Sequence, residues 1–372
     1  MKLSNNQQAF FALVKAGLWE QDVQLASFGQ IDFNEVYRLA EEQSVVGLVA
    51  AGIEHVIDVK VPQEVALTFV GCTLQLEQRN VAMNEFIERL IEQLREKDVY
   101  TLLVKGQGIA QCYERPLWRS AGDIDLLLSN KNYLKAKSYL EPLATTVEVE
   151  NIKALHLGMV IDSWSIELHG TLRSCCLTRM DKVIDDVQFD VFFNGGVRSW
   201  INGRTQVFLP YPDNDVIFVF THIIKHYFNG GIGLRQICDL TRLLWTYNNS
   251  INSSLLGMRL KKMKLMSEWM VFGSLVVDYL GMPEEKMPFY SPSHKWKSKA
   301  EKLVSFIIET GNFGYNRDFS YYSNKPYFVR KAISLKRHMS DLAKQFTIFP
   351  LDTIKVWNGM IIEGIGEVVK GR

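Results

Sequence analysis

The sequence predicts an α+β fold in which a mixed-sheet domain lies between helical N-terminal and C-terminal regions. Three observations indicate this class. Apolar residues recur at helical spacing up to about residue 98, short β-rich runs with glycine and asparagine turns follow, and helical periodicity returns after Pro212. We therefore expect a helical region at 1–98, an α/β domain at 99–210 and a mainly helical domain at 211–372.

The composition is that of an ordinary globular protein. Of the 372 residues, 47% are hydrophobic, and 42 basic residues nearly balance 41 acidic ones. A net charge of +1 creates no overall field that would attract nucleic acid or an anionic membrane. The charge-free run VALTFVGCTLQL is shorter than the ~20 residues that a membrane-spanning helix needs. We expect a cytoplasmic protein that associates with neither a membrane nor nucleic acid.

The five cysteines are scattered and form no CxxC pair, which is typical of reduced cytoplasmic thiols. The adjacent Cys175 and Cys176 are potential metal ligands, but no second cysteine pair lies near them. We interpret both as free thiols.

The N-terminal region ends in the clearest helix of the sequence. In QRNVAMNEFIERLIEQLREK, the apolar residues Phe86, Leu90, Ile91 and Leu94 share one face beneath a charged outer face. This helix leads into VYTLLV, a short β-rich run, then a glycine turn and a second short helix at IAQCY. A helix followed by a strand, a turn and a helix is typical of α/β organisation.

The middle of the chain alternates one helix with several strands. We predict a helix at 131–140 and strands at TTVEVE, ALHLGMVI, SWSIELHG, DVQFDVFF and RTQVFLP. A helix at 213–228 then opens the C-terminal region with aspartate and asparagine as N-cap candidates.

Two aspartates interrupt the apolar run GDIDLLL. Asp123 and Asp125 are two positions apart, so in a strand they project from one face, about 6–7 Å apart. Paired carboxylates repel each other unless a cation lies between them, and oxygen ligands of this kind suit Mg²⁺ with substrate phosphates. A solvated strand edge is the alternative that the motif by itself leaves open.

A glycine turn precedes the aspartates. Gly106, Gln107 and Gly108 follow the first predicted strand, and their backbone N–H groups are candidates for contact with phosphate at the start of the next helix. Lys105 and Arg119 lie near enough in sequence to neutralise a triphosphate. The alternative is an ordinary turn between a strand and a helix.

Together, KGxxxAxxY, a following proline and arginine, and GDIDLLL resemble the uncharacterised nucleotidyltransferase family within the DNA polymerase β-like nucleotidyltransferase superfamily. Weaker similarity extends from about residue 40 to residue 350. The resemblance implies a Mg²⁺-dependent nucleotidyltransferase fold, with Mn²⁺ as an alternative ion. It also implies a third carboxylate on a neighbouring strand, for which Glu167 in SWSIELHG is our candidate. Glu167 would join Asp123 and Asp125 in holding the metal ion and would draw the proton from the attacking hydroxyl.

Histidines and a lysine are candidates for a substrate pocket. His169 shares the face of Glu167 on the same predicted strand. His222 and His226 lie one turn apart with Lys225 between them, but HIIKH lacks the glutamate of a zinc-protease motif. We predict that these side chains face the nucleotide or the acceptor. The alternative for His169 is a histidine with satisfied hydrogen bonds at the end of a strand, and the alternative for the other three is packing at a domain seam.

These features predict an enzyme that transfers a nucleoside monophosphate from an NTP to an acceptor hydroxyl and releases pyrophosphate. A small molecule, a sugar, a peptide and a protein are all compatible acceptors, because a fold does not fix the substrate. A catalytically inactive relative that binds nucleotide or protein is the alternative. Phosphoryl transfer ranks third, since the chain has no GxxxxGK[ST] loop and no HRD or DFG motif.

Overall fold

The computed structural model describes residues 3–173, 177–317 and 326–369. Cys175 and Cys176, the adjacent pair considered above, lie outside the described residues.

Helices account for most of the described chain. Their bounds are α1 Asn5–Trp19, α2 Phe33–Glu42, α3 Val46–Glu54, α4 Gln63–Arg95, α5 Gly106–Ala110, α6 Asn130–Leu140, α7 Thr178–Phe193, α8 Pro212–Asn229, α9 Leu234–Thr246, α10 Ser253–Met263, α11 Met266–Asp278, α12 His294–Thr310, α13 Tyr327–Ile348 and α14 Pro350–Val369. No helix in the described ranges is both long enough and apolar enough to cross a membrane.

The strands form one mixed sheet. Their bounds are β1 Leu102–Val104, β2 Ile124–Leu127, β3 Thr146–Val147, β4 His156–Ile161, β5 Trp164–His169, β6 Val197–Asn202 and β7 Thr205–Pro210. They lie in the order β3-β4-β5-β2-β1-β7-β6. Strand β2 is parallel to β5 and antiparallel to β1, and β1 is parallel to β7. The predicted α+β fold with helical N-terminal and C-terminal regions is confirmed.

Helix α4 links the two hydrophobic cores. Near its C-terminal end, Phe86, Leu90, Ile91 and Leu94 are buried as predicted, and they pack with α6 against one face of the sheet. Near its N-terminal end, Phe69 is buried in the larger core, which also contains residues of α1, α8, α9 and α11. The larger core thus joins residues from all three predicted segments. The boundaries 1–98, 99–210 and 211–372 stay a prediction.

The N-terminal helices α1 and α3 are in backbone contact. A Cβ atom on Gly52 would lie 2.0 Å from the carbonyl oxygen of Leu13, and one on Gly17 would lie 1.9 Å from that of Leu48. A side chain at either position would clash with backbone, so glycine permits the close crossing.

Some local predictions were wrong. The run DVQFDVFF belongs to α7, because Val183, Val187 and Val191 recur every four residues and are buried on one helical face. The short helix expected at IAQCY begins earlier, at Gly106, and the strand expected at TTVEVE is limited to two residues. Strand β6, which pairs with β7 at the edge of the sheet, was missed.

A buried polar cluster ties α9 to the segment that enters β2. Asp239 accepts two hydrogen bonds from the Arg119 guanidinium, each 2.7 Å long, and a third of 2.7 Å from the Tyr113 hydroxyl. All three side chains are buried. Arg235 and Arg242 lie on the same helix as Asp239, but the guanidinium that reaches Asp239 comes from a distant part of the chain.

We expect Asp239→Ala to lower the free energy of unfolding by about 3–5 kcal/mol, because the Arg119 charge would stay buried without its partner. Urea unfolding monitored by circular dichroism measures this change. The double variant Arg119→Met/Asp239→Leu is the control, and it should recover most of the loss because it removes both charges. A single variant within about 1 kcal/mol of wild type would contradict the role given to the pair.

A second prediction concerns Glu268, a buried residue of α11. Burial, with a smaller contribution from the neighbouring Asp352, raises the pKa of Glu268 to about 7. Folding therefore opposes ionisation of the Glu268 carboxyl group. The protonated carboxyl group contributes to stability, and this contribution is lost as the pH rises from 4.5 through about 7. Glu268→Gln should raise the free energy of unfolding by about 2–3 kcal/mol at pH 8 and change it little at pH 4. Equal effects at both pH values would contradict the assigned pKa.

Candidate active site

Three carboxylates meet where β2 and β5 run side by side. The parallel register places Asp125 directly opposite Glu167 and places Leu127 opposite His169. Asp123 immediately precedes β2, two positions before Asp125, so it projects toward the same side of the sheet. The structure therefore brings together all three carboxylates that the sequence singled out.

Two cationic groups contact the innermost carboxylate. Asp125 Oδ1 lies 2.7 Å from Lys105 Nζ and 2.9 Å from His169 Nε2. Burial alone would raise the pKa of Asp125, but Lys105 and then His169 outweigh it and lower that pKa. Burial lowers the pKa of His169, but its hydrogen bonds with Asp125 and Glu167 outweigh burial and raise that pKa. Asp125 is therefore ionised and internally neutralised.

Asp123 differs from Asp125 in lacking such a partner. Among the described residues, no basic side chain forms an ion pair with it, and it is exposed at the mouth of the site. Loss of hydration raises the pKa of Asp123, and the nearby charges of Glu167 and Asp125 raise it further. A hydrogen bond with Ser165 and the charge of Lys105 offset this repulsion only in part, so the pKa of Asp123 stays raised.

A second histidine, His156, was missed at the sequence level. It begins β4 and is paired with His169 in the antiparallel register of β4 and β5. Its Nε2 atom lies 3.1 Å from Glu167 Oε2, and His169 Nε2 lies 3.3 Å from the same oxygen. These two hydrogen bonds outweigh burial and hold the pKa of Glu167 well below its usual range. The signal available in the sequence was that the predicted strands ALHLGMVI and SWSIELHG are separated by one residue and contain one histidine each.

The glycine turn contributes only its first residues to the site. Lys105 and Gly106 have positive φ values of 59° and 44°, and both line the pocket. Gln107 is buried, and its amide donates a hydrogen bond of 3.3 Å to Asn80 Oδ1. A Cβ atom on Gly108 would lie 2.7 Å from the Leu209 side chain. The Gln107 side chain and the Cα of Gly108 thus make packing contacts, and the phosphate contact expected of the backbone N–H groups in this turn stays a prediction.

Arg119 lines the pocket but is already engaged by protein groups. Besides its two bonds to Asp239, its Nη1 atom donates to the carbonyl oxygen of Ser120 at 3.2 Å. Arg235 donates to the same carbonyl at 3.0 Å, and its Nε atom is buried without a hydrogen-bond partner. Arg235 therefore has fewer hydrogen bonds to protein groups than Arg119 has.

Helix α8 forms the wall that faces the carboxylates. His222 and His226 pack with their ring centroids 4.2 Å apart, and the ring of Phe313 lies 4.7 Å from that of His226. Burial and the charge of Lys225 lower the pKa of His226 to about 3, and burial also lowers that of His222. Both imidazoles are therefore neutral at pH 7. Lys225 lines the same wall, and it forms no ion pair with a described residue.

These walls enclose a cavity of about 520 Å³. This volume is within the usual range for small-molecule sites. The predicted residues that line the cavity are Lys105, Gly106, Arg119, Asp123, Asp125, Glu167, His169, His222, Lys225 and His226. His156, Arg235 and Phe313 also line it, although we had not placed them in the site. Carboxylates thus face Lys225 and Arg235 across one opening.

Comparison with protein families agrees with this geometry. The model of the uncharacterised nucleotidyltransferase family matches residues 29–278, a range that contains the carboxylate cluster and the facing helices α8 and α9. No curated protein and no solved structure matches the chain. The resemblance found at residues 105–128 is confirmed. The chain belongs to the uncharacterised nucleotidyltransferase family.

Proposed function

We propose that the protein transfers a nucleoside monophosphate from an NTP to an acceptor hydroxyl in a Mg²⁺-dependent reaction that releases pyrophosphate. The observation that supports this reaction is the opposition of charges in one cavity. Asp123, Asp125 and Glu167 lie on the sheet, and the cations Lys225 and Arg235 lie on the helical wall. An NTP bound between them would place its phosphates within reach of both groups.

The carboxylates fit a hard divalent cation. Mg²⁺ binds oxygen ligands and commonly uses one or two carboxylates together with substrate phosphates. The pKa of Asp123 is raised by partial loss of hydration and by the charges of Glu167 and Asp125, and a cation would relieve the repulsion among these carboxylates. When bound, the ion would neutralise charge on the phosphates and on the attacking and leaving oxygens. Asp123, Asp125 and Glu167 are the residues that would hold it.

The low pKa of Glu167 refines its proposed role. A carboxylate held well below its usual pKa by two imidazoles is a weak proton acceptor. Glu167 therefore supports the reaction through its negative charge, which the hydrogen bonds from His156 and His169 keep in a fixed position. The family resemblance implied that Glu167 takes the proton from the acceptor hydroxyl. The low pKa of Glu167 argues against this part of its role.

The basic side chains of the helical wall would bind the triphosphate. Lys225 is half-buried and forms no ion pair in the described chain, so its charge is available to a ligand. Arg235 adds a buried guanidinium whose pKa is lowered by burial and by the neighbouring Arg119 charge. A negatively charged phosphate would offset the repulsion between Arg119 and Arg235. It would also accept a charge-assisted hydrogen bond from Arg235, which is stronger than a neutral one.

Asp123→Asn is the sharpest test of the carboxylate site. Asp125→Ala would leave Lys105 and His169 without their partner, whereas Asp123 forms no ion pair with a described basic residue. We expect Asp123→Asn to weaken Mg²⁺-dependent NTP binding at least ~10-fold, or about 1.4 kcal/mol, and to leave the melting temperature unchanged. Isothermal titration calorimetry with each NTP, with and without Mg²⁺, measures the effect.

Asp162→Asn is the matched control, because Asp162 is an exposed acid in the turn at the far end of β4 and β5. It should bind NTP as the wild type does. If wild-type binding does not depend on Mg²⁺, or if Asp123→Asn binds as well as Asp162→Asn, the proposed metal-carboxylate reaction is contradicted.

Lys225→Ala tests the helical wall. Removing a cation that contacts phosphate should raise the Kd for NTP about 10-fold while the Kd for the nucleoside alone stays unchanged. Lys261→Ala is the control, since Lys261 is exposed on α10 and lies outside the cavity. Equal weakening of NTP and nucleoside binding would show that Lys225 supports the shape of the cavity rather than binding phosphate.

A further inference from the structure

We propose that His156, Glu167 and His169 form a binding site for a divalent transition-metal ion such as Zn²⁺ or Mn²⁺. The site adjoins the carboxylates of the proposed function. Only a role of this ion in the reaction would depend on that function. Binding of the ion follows from the three side chains themselves.

The three side chains converge on one point. His156 Nε2 lies 3.1 Å from Glu167 Oε2, and His169 Nε2 lies 3.3 Å from the same oxygen. One ligand atom from each residue lies within 4.8 Å of the other two. Ligands bound at about 2.1 Å to one ion are about 3.0–3.4 Å apart in octahedral or tetrahedral geometry. The observed separations to Glu167 therefore need little change to admit an ion.

The backbone holds these ligands in register. His156 is directly paired with His169 across β4 and β5, and Glu167 is two positions from His169 on the same face of β5. All three residues therefore project from adjacent positions of a hydrogen-bonded hairpin. His156 and Glu167 are half-buried and line the cavity, which leaves one side open for substrate or water to complete the coordination.

The donor types select the class of ion. Two imidazole nitrogens and one carboxylate suit zinc, manganese, iron and similar ions, whereas Mg²⁺ prefers an all-oxygen environment. Asp123 contributes nothing to this set. The cavity thus contains an oxygen-rich end near Asp123 and a nitrogen-containing end near His156, and these ends share Glu167.

A different account of the same contacts makes an opposite prediction. His156 can donate an N–H to Glu167, while His169 Nε2, which lies 2.9 Å from Asp125 Oδ1, can share its N–H between Asp125 and Glu167. The imidazoles would then simply hold the carboxylates in position. In that case a glutamine at position 156 could replace the imidazole, because its amide also donates a hydrogen bond. A metal site, in contrast, requires the ring nitrogen as a ligand, so His156→Gln separates the two accounts.

The experiment uses the full chain after removal of bound metal with a chelator. Binding of Zn²⁺, Mn²⁺ and Mg²⁺ is measured separately by calorimetry without nucleotide, and Mn²⁺ binding is also followed by electron paramagnetic resonance. We expect one Zn²⁺ or Mn²⁺ per chain, bound at least ~100-fold more tightly than Mg²⁺. His156→Gln should weaken this binding at least ~10-fold without changing the melting temperature.

His55→Ala is the matched control, because His55 Nε2 also lies 2.9 Å from a glutamate oxygen but is outside the cavity. It should bind the ions as the wild type does. Similar affinity for Mg²⁺ and the transition ions, or full affinity in His156→Gln, would overturn the proposal. Asp123→Asn separates it from the proposed function, since that variant should keep the Zn²⁺ or Mn²⁺ site and lose Mg²⁺-dependent NTP binding.

Discussion

The buried ion pair between Arg119 and Asp239 is the interaction on which the site depends most. Arg119 lies four residues before Asp123, and Asp239 lies one helical turn after Arg235. The pair therefore fixes the start of the carboxylate strand relative to the helix that supplies a cation to the opposite wall. Tyr113 adds a third hydrogen bond to Asp239 from the segment after α5. Since a buried charge without its partner is costly, this cluster holds separate parts of the chain in one arrangement.

The charges of the cavity are arranged unevenly. At the inner end, Lys105 and His169 contact Asp125, so protein groups already offset part of its charge. At the outer end, Asp123 forms no ion pair with a described basic residue. On the facing wall, Lys225 forms no ion pair with a described acidic residue. A ligand that carries a divalent cation next to negatively charged phosphates complements both ends. This arrangement of charges supports the proposed binding of a metal-bound phosphate compound.

Local predictions succeeded where one periodicity dominated and failed where two periodicities overlapped. The buried face of α4 was evident because Phe86, Leu90 and Leu94 repeat at helical spacing beneath charged residues. The run DVQFDVFF alternates apolar and polar residues over a short distance, yet it forms the end of α7 because Val183 and Val187 continue a helical face from upstream. The β-branched and aromatic residues of that run have high strand propensity, and packing of the helical face overrode it.

Short-range patterns in the sequence were enough to predict the α+β class, the family resemblance and the paired aspartates, and the resemblance in turn implied Glu167. A strand with aspartates at positions 123 and 125 must place both on one face. Only the tertiary structure decided which cations face them. Arg119, four residues from Asp123, is committed to Asp239, while Arg235, more than a hundred residues away, lines the cavity. His156 likewise joins Glu167 through the register of two antiparallel strands. Such long-range pairing depends on strand order, helix packing and burial, none of which is encoded in local spacing.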